Sequence, residues 1–247
     1  MSKARLEVCC ADIRSLYAAR EGGAERIELC TALSEGGLTP SAGLLAAAVG
    51  MEFHEINVLI RPRKGDFLYS KSELDLIEDD IRYCSDHGAT GIVFGALDAD
   101  GNVDAHTLRR MRKAAVDLDF TFHRAFDMCA DASEAFKVIV EEECTALLTS
   151  GLAPTAYEGI DKIAELVRQA DEIISIIAGC GVNSSNCREI VERTRVTLVH
   201  ATASRLCPSE MRFRRDSVSM GVKGVDEFSF RCTSEDEVRA IINALQR

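Results

Sequence analysis

The feature that most constrains the fold of this chain is an eightfold alternation of short apolar segments with amphipathic ones. The apolar segments are rich in β-branched residues, and the amphipathic ones repeat apolar residues at helical spacing, as in Ile13, Leu16 and Tyr17. The repeat is roughly thirty residues long, the size of one βα unit. The predicted strands span residues 5–10, 26–30, 55–60, 91–95, 120–124, 146–149, 173–178 and 197–200.

This rhythm predicts a closed (β/α)8 barrel of the TIM type. The chain has 247 residues, a length that allows either two domains or one such barrel. An open, doubly wound sheet fits eight units with mostly short loops less well. Because no linker rich in proline or serine interrupts the alternation, we expect one domain over residues 1–247.

Charge and apolar patterning exclude several classes of partner. The 40 acidic side chains outnumber the 29 basic ones and give a formal net charge of −11, whereas proteins that bind nucleic acid usually carry a basic excess. Charges interrupt every apolar segment, and the first residues do not resemble a signal peptide. We therefore expect a cytoplasmic protein that binds neither nucleic acid nor membrane and keeps its ten cysteines reduced.

Polar side chains concentrate at the C-terminal ends of the predicted strands, where α/β barrels place their chemistry. Strand alternation puts Glu7 and Cys9 on one face of the first strand, and Glu28 and Cys30 on the corresponding face of the second. The two glutamates would lie inside the barrel and would need compensating charges. The ends of three other predicted strands supply candidates for that compensation: Arg61, His123 and His200.

These five polar residues allow two interpretations. One is a ring at the barrel mouth that performs general acid/base chemistry on a small molecule. In that case Glu7 or Glu28 would be the acid or base, Arg61 would hold substrate charge, and His123 and His200 would carry protons. The other is a structural ion-pair network without chemistry.

Glycine turns after the later strands suggest an anion site at the same mouth, since barrels often bind phosphate there. Basic residues at strand ends, among them Arg61, Lys64 and Arg124, predict that the mouth is cationic. The alternative is that the glycines only permit tight turns. The candidate anion-binding residues are Arg63, Thr149, Ser150, Gly151, Gly179 and Gly181.

Three cysteines cluster at the ends of the first two predicted strands: Cys9, Cys10 and Cys30. A pair of soft thiolates there could hold Cu(I). The alternative is packing, because cysteine often serves as a small buried hydrophobe. No Cys-x-x-Cys pattern supports a structural zinc site.

Six blocks of the sequence form a distinctive ordered set: EVCC at 7–10, GAERIELC at 23–30, EGGLTPS at 35–41, RPRKGDF at 61–67, TFHRAFDM at 121–128 and LTSG at 148–151. These blocks resemble the CutC-type copper homeostasis family. The resemblance runs from about residue 5 to about residue 230 and implies a TIM-like barrel, a cytosolic homo-oligomer, and Cu(I) bound by Cys30 with Cys9 or Cys10. The chain departs from the family pattern at Lys64, where glycine is usual, and at Cys180, which lies within a glycine turn.

Two hypotheses therefore compete. The first is cytosolic copper homeostasis through Cu(I) bound by cysteines. The second is acid/base catalysis on a small phosphorylated or carboxylated metabolite, because the blocks also contain Glu, Arg and His residues that a Cu(I) site does not need. An interaction scaffold, the third class, would leave the strand-end residues unexplained.

Overall fold

Eight parallel strands close into a barrel in chain order. The computed structural model describes residues 4–215, 217–218 and 226–246, so residues 1–3, 216, 219–225 and 247 of the expected domain lie outside the description. The prediction of a (β/α)8 barrel is confirmed. The barrel strands are β1 (Arg5–Cys10), β2 (Arg26–Leu29), β3 (Glu55–Leu59), β4 (Gly91–Phe94), β5 (Asp119–Phe122), β6 (Ala146–Thr149), β7 (Ser175–Gly179) and β8 (Leu198–Ala201).

Helices follow the strands around the barrel, and short 3-10 helices at Leu33–Glu35 and Arg124–Met128 lie in the loops after β2 and β5. Within the described residues, none of the helices combines the length and apolar character needed to cross a bilayer. The α-helices are α1 (Ile13–Glu21), α2 (Ala42–Gly50), α3 (Lys71–Asp86), α4 (Ala105–Ala114), α5 (Ala132–Glu141), α6 (Ile160–Ala170), α7 (Cys187–Thr194) and α8 (Glu235–Gln246).

A second, antiparallel pair of strands lies between β8 and α8, in a stretch whose sequence shows no periodicity. It consists of β9 (Ser204–Pro208) and β10 (Ser229–Thr233). A disulfide joins Cys207 to Cys232 across the pair, while the other eight cysteines are free. The expectation that every cysteine is reduced was therefore wrong for these two, because strand pairing brings together residues that are 25 positions apart.

The two faces of each barrel strand have different partners. Val8, Ile27, Leu29 and Val58 belong to the large core between the strands and the helices. Both faces of a parallel sheet in such a fold are covered, which explains the nearly continuous apolar runs in the sequence.

The barrel interior is apolar on one side and charged on the other. Ala146, Leu148, Ile177 and Leu198 form a separate apolar cluster contributed by β6, β7 and β8. Strand register brings the charged residues of β1, β2, β3 and β8 together: Glu7 pairs with Arg26 and His200 in neighbouring strands, and Arg26 pairs with Glu55.

An ion-pair chain occupies the charged side. The Nε of Arg26 donates to Glu7 Oε2 at 2.6 Å, and its Nη1 donates to Glu55, which also accepts from Arg5 Nη1 at 2.5 Å. The Arg26 side chain is 7% exposed, whereas that of Arg5 is 54% exposed. The chain therefore runs from the buried interior to the surface.

These two arginines provide a matched test. We expect Arg26→Met to lower the free energy of unfolding by about 3–5 kcal/mol, because it leaves the buried Glu7 carboxylate without its cation. Arg5→Met removes an exposed cation from the same Glu55 and should cost less than about 1 kcal/mol. Urea unfolding of both variants would measure the difference, and equal losses would contradict the buried charge chain.

Candidate metal centre

A cavity of about 910 Å³ opens at the C-terminal ends of the barrel strands. Its lining includes residues from five strand ends or the loops that follow them: Cys9, Cys30, Arg61, His123 and His200. The strand ends at which the sequence predicts the functional site therefore surround a cavity. This cavity is larger than a bare metal ion needs.

Two thiols lie together in this cavity. The Sγ atoms of Cys9 and Cys30 are 3.5 Å apart, and the Cys9 thiol also donates to Glu28 Oε1 at 3.6 Å. Leu59 and Val93 pack against the two cysteines, all four side chains being buried. Cys9, Glu28 and Cys30 each offer a ligand atom within 4.8 Å of the others, so they form a candidate metal centre, called here the thiol pair with Glu28.

Cys10 does not join the thiol pair. Its side chain points to the opposite face of β1, where its Sγ donates to the carbonyl oxygen of Ser15 at 3.7 Å and packs in the large core. Adjacent residues of a strand face opposite sides, so Cys9 and Cys10 cannot both reach the barrel interior.

Hydrogen bonding and burial favour the protonated form of Cys9 when no metal is present. The hydrogen bond with Cys30 and the effect of burial raise the pKa of Cys9 well above its usual value. A metal ion would therefore have to displace protons in order to bind thiolates.

Glu7 lies one layer below the cavity and is fully bonded. It accepts hydrogen bonds from Arg26 Nε, from Asn57 Nδ2 at 3.2 Å, and from His200 Nδ1 at 2.9 Å. Burial raises the pKa of Glu7, but His200 and Arg26 outweigh it, so the net pKa is lowered. Burial similarly opposes protonation of His200, yet Glu28 and Glu7 raise its pKa overall.

Glu28 is less well compensated than Glu7. Its Oε2 is buried and has no hydrogen-bond partner in the described part of the chain. Burial raises the pKa of Glu28, and the Glu7 charge adds to this effect while His200 opposes it. Glu7, Glu28 and His200 thus come together as predicted, with ligand atoms within 4.8 Å of one another.

Arg61 lies at the cavity but pairs with neither glutamate. Its guanidinium donates to the carbonyl oxygens of Glu35, Gly37 and Gly65 at 2.9, 3.2 and 2.7 Å, and it stacks on the ring of Phe67. The loops after β2 and β3 are therefore tied together by Arg61, a role that strand periodicity could not indicate.

His123 is also separate from the two glutamates. Its Nδ1 accepts from the Ala125 N–H at 3.2 Å, and its Nε2 has no partner within the described residues. Burial and the nearby Arg61 charge lower the pKa of His123 to about 3. The imidazole is therefore neutral near pH 7, which does not suit the proton-relay role suggested by the sequence.

The loop after β6 already binds an anion of the protein itself, the carboxylate of Asp127 from the 3-10 helix after β5. Asp127, which the sequence analysis did not single out, accepts from Thr149 Oγ1 at 2.5 Å and from Ser150 N at 3.0 Å. The Gly151 N–H donates to Thr149 Oγ1, and Arg124 Nε donates to Asp127 at 2.8 Å. Thr149 and Ser150, which were predicted to bind an external anion, thus bind Asp127. The position of Asp127 three residues after Arg124 was the sequence signal that could have indicated this ion pair.

The other predicted anion-binding residues lie apart from one another. Arg63 donates to Glu73 and to groups of its own loop, including Asp66 and the carbonyl oxygen of Leu68. Gly181 lines the cavity. Gly179 packs closely against His200 instead, since a Cβ placed on Gly179 would lie 3.3 Å from the Cβ of His200. These residues do not converge on one point.

The charge of the mouth is opposite to the expectation. Among the described residues that line the cavity, five are carboxylates and two are arginines. Lys64, expected to add a positive charge, forms an ion pair with Glu35 at 3.1 Å. The prediction of a cationic mouth was therefore wrong, because nearby carboxylates pair with the basic residues.

Comparison with known proteins identifies the family. The CutC family model matches residues 4–205. The chain belongs to the CutC family. CutC family proteins from Vibrio campbellii and Porphyromonas gingivalis are 42% and 43% identical to it, over 98% of both chains in each case.

Solved structures agree with this assignment. The crystal structure of a CutC protein from Streptococcus agalactiae, described as a candidate copper homeostasis protein, has a TM-score of 0.77 and 30% identity, and covers 81% of this chain and 98% of its own. A KDPGal structure has a TM-score of 0.59 at 15% identity, covering 100% of this chain and 96% of its own, a likeness that concerns the fold alone.

Neutralising Glu28 and neutralising Glu7 should change the free energy of unfolding of the metal-free protein in opposite directions. We expect Glu28→Gln to raise the free energy of unfolding at pH 7 by about 1–3 kcal/mol, because it removes an incompletely bonded buried carboxylate. Since the folded-state pKa of Glu28 is raised, the gain should disappear below about pH 4, where the glutamate is protonated in both states.

Glu7→Gln is the matched control. It should destabilise the protein by about 3–5 kcal/mol at pH 7, because Arg26 and His200 lose their charged partner. The lowered pKa of Glu7 means that this loss should shrink only as the pH falls through that lowered value. Denaturant titrations at pH 7 and pH 4 measure both effects, and destabilisation by Glu28→Gln at pH 7 would refute the assignment.

Proposed function

We propose that this CutC protein binds Cu(I) between the thiols of Cys9 and Cys30 and thereby serves copper homeostasis. The observation that carries the proposal is the pair of free, buried thiols 3.5 Å apart in the barrel cavity. Cu(I) is a soft ion that prefers thiolate ligands, whereas magnesium and calcium prefer hard oxygen ligands.

The spacing of the thiols favours a bent arrangement. Metal–thiolate bonds are about 2.3 Å long, so sulfurs 3.5 Å apart would need to separate by roughly 1 Å to hold an ion in a straight line. A bent arrangement would leave one side of the ion open. Because Cys9 and Cys30 both line the cavity, a further ligand or an entering copper ion could reach the site through it.

The surroundings support a site for a singly charged soft cation. Leu59 and Val93 shield the thiols, and Glu28 supplies a nearby negative charge. Structural zinc sites almost always use four ligands, whereas Cys9, Glu28 and Cys30 offer three. The excess of carboxylates in the cavity lining attracts a cation to the mouth.

Nothing comparable favours acid/base catalysis. Arg61 donates to backbone carbonyl oxygens and His123 accepts from the Ala125 N–H, so neither pairs with Glu7 or Glu28. We therefore restrict the proposal to copper. As the CutC resemblance implies, it includes a homo-oligomer in the cytoplasm.

Replacement of single cysteines tests the site. Cys9→Ala and Cys30→Ala should each weaken Cu(I) binding by at least about a hundredfold, because each removes one of two sulfur ligands. Cys10→Ala is the matched control: it removes the adjacent thiol on the other face of β1 and should leave the affinity unchanged. Anaerobic titration against a Cu(I) chelator measures all three, and equal affinity in Cys30→Ala and wild type would exclude the proposed site.

Copper affinity should also depend on pH. Because the pKa of Cys9 is raised, the thiol must lose a proton to bind copper. The affinity should then rise by up to about tenfold per pH unit for each proton released. Competition titrations between pH 6 and pH 8 would test this, and an affinity that is constant over this interval would argue against thiolate ligands.

A further inference from the structure

The cavity contains polar groups that a copper ion does not use. The Nε2 of His123 is buried and unpartnered, as is the Nε of Arg61, in the part of the chain that the structure describes. Both residues line the cavity and are about 5% exposed. Buried donors without partners are rare in native proteins, and a bound ligand or water is a usual explanation.

The two residues share one wall of the cavity. The ring of Phe67 lies 5.0 Å from the Arg61 guanidinium carbon and 5.0 Å from the centre of the His123 ring. Arg61 also donates to the Gly37 carbonyl oxygen, and a Cβ on Gly37 would lie 3.9 Å from Cys30 Sγ. This wall therefore lies close to the thiol pair.

The protonation state of His123 is defined by its contacts. Since Nδ1 accepts from the Ala125 N–H, the proton of the neutral ring lies on Nε2. The low pKa of about 3 keeps the ring neutral. His123 therefore has an unused hydrogen-bond donor, Nε2, within the cavity wall.

Arg61 carries the unbalanced positive charge of this wall. Its guanidinium donates to backbone carbonyl oxygens, which carry no net charge. Carboxylates at the rim are already engaged: Glu35 with Lys64, Asp66 with Arg63, Asp127 with Arg124, and Asp98 with the backbone and side-chain N–H groups of Asn102. An anionic group of a ligand would complete the charge balance of Arg61.

We infer that the cavity binds a small organic carboxylate, which accepts a hydrogen bond from His123 Nε2 and balances the charge of Arg61 beside the thiol pair. This ligand goes beyond the proposed copper function and does not require the metal. Apolar side chains on the cavity wall, including Leu97 and Val182, suit its carbon skeleton.

A carboxylate fits this wall better than a phosphate. A phosphate monoester carries about −1.5 to −2 charges near pH 7, and it commonly binds to backbone N–H groups in a glycine loop. Here one cation is available, and the N–H of Ser150 already binds Asp127. The acidic rim would further disfavour a doubly charged ligand.

NMR titration of the metal-free, 15N-labelled protein, which follows both the ligand signals and the histidine ring nitrogens, tests the inference. The probes are propionate, 3-mercaptopropionate, ethanethiol and inorganic phosphate. Both carboxylates should bind to wild type and shift the His123 ring nitrogen signals, whereas ethanethiol and phosphate should bind at least tenfold more weakly. Failure of both carboxylates to bind, or binding of phosphate as tight as that of propionate, would overturn it.

Variants of His123 identify the site. His123→Phe keeps an aromatic ring beside Phe67 and should weaken propionate binding by about tenfold or more. His123→Gln retains an N–H donor and should restore most of the affinity, and His106→Phe, at an exposed histidine, should change nothing. Equal binding in wild type and His123→Phe would contradict the assignment, and the ring signals of wild type decide the matter if that variant does not fold.

A second arm with Cu(I)-loaded protein separates two sources of the carboxylate. Binding of 3-mercaptopropionate at least tenfold tighter than that of propionate would identify a thiol-bearing acid whose sulfur reaches the open side of copper. Equal binding would identify a simple organic acid. Because the first arm contains no metal, failure of the copper proposal and failure of this inference are observed separately.

Discussion

The structure depends on one buried carboxylate, that of Glu7, inside the charged half of the barrel. A carboxylate in this position is unfavourable unless cations and hydrogen-bond donors surround it, and Arg26, His200 and Asn57 do so. Arg26 continues the ion-pair chain towards the N-terminal end of the barrel through Glu55. His200 links Glu7 to the cavity, where Glu28 and Cys9 lie in contact.

The candidate site is thus organised in layers. The lower layer is a saturated ion-pair network that fixes side-chain positions. The layer above contains the thiol pair with Glu28, where burial favours the protonated thiol and disfavours the charged carboxylate. A bound cation would stabilise this layer, because a metal ion would replace the displaced protons and balance the charge of the carboxylate.

The sequence predicts the parts of this arrangement that follow from strand periodicity. The eight strands, and the inward direction of Glu7, Cys9 and Glu28, follow from alternation along β1 and β2. Contacts made in loops do not follow from periodicity. Arg61 binds backbone carbonyl oxygens, and Asp127 accepts hydrogen bonds from donors in the loop after β6. Both sets of contacts depend on loop conformations, which residue type does not define. The Cys207–Cys232 disulfide likewise depends on the pairing of β9 with β10.

X-ray absorption spectroscopy of the Cu(I)-loaded protein tests the central claim most directly, since it identifies the atoms bound to copper. The account predicts a first shell of sulfur atoms at about 2.3 Å, with two supplied by the protein and no imidazole scattering. The sulfur shell should be lost in Cys9→Ala and retained in Cys10→Ala. A first shell of nitrogen or oxygen atoms in the wild-type protein would contradict copper binding by Cys9 and Cys30.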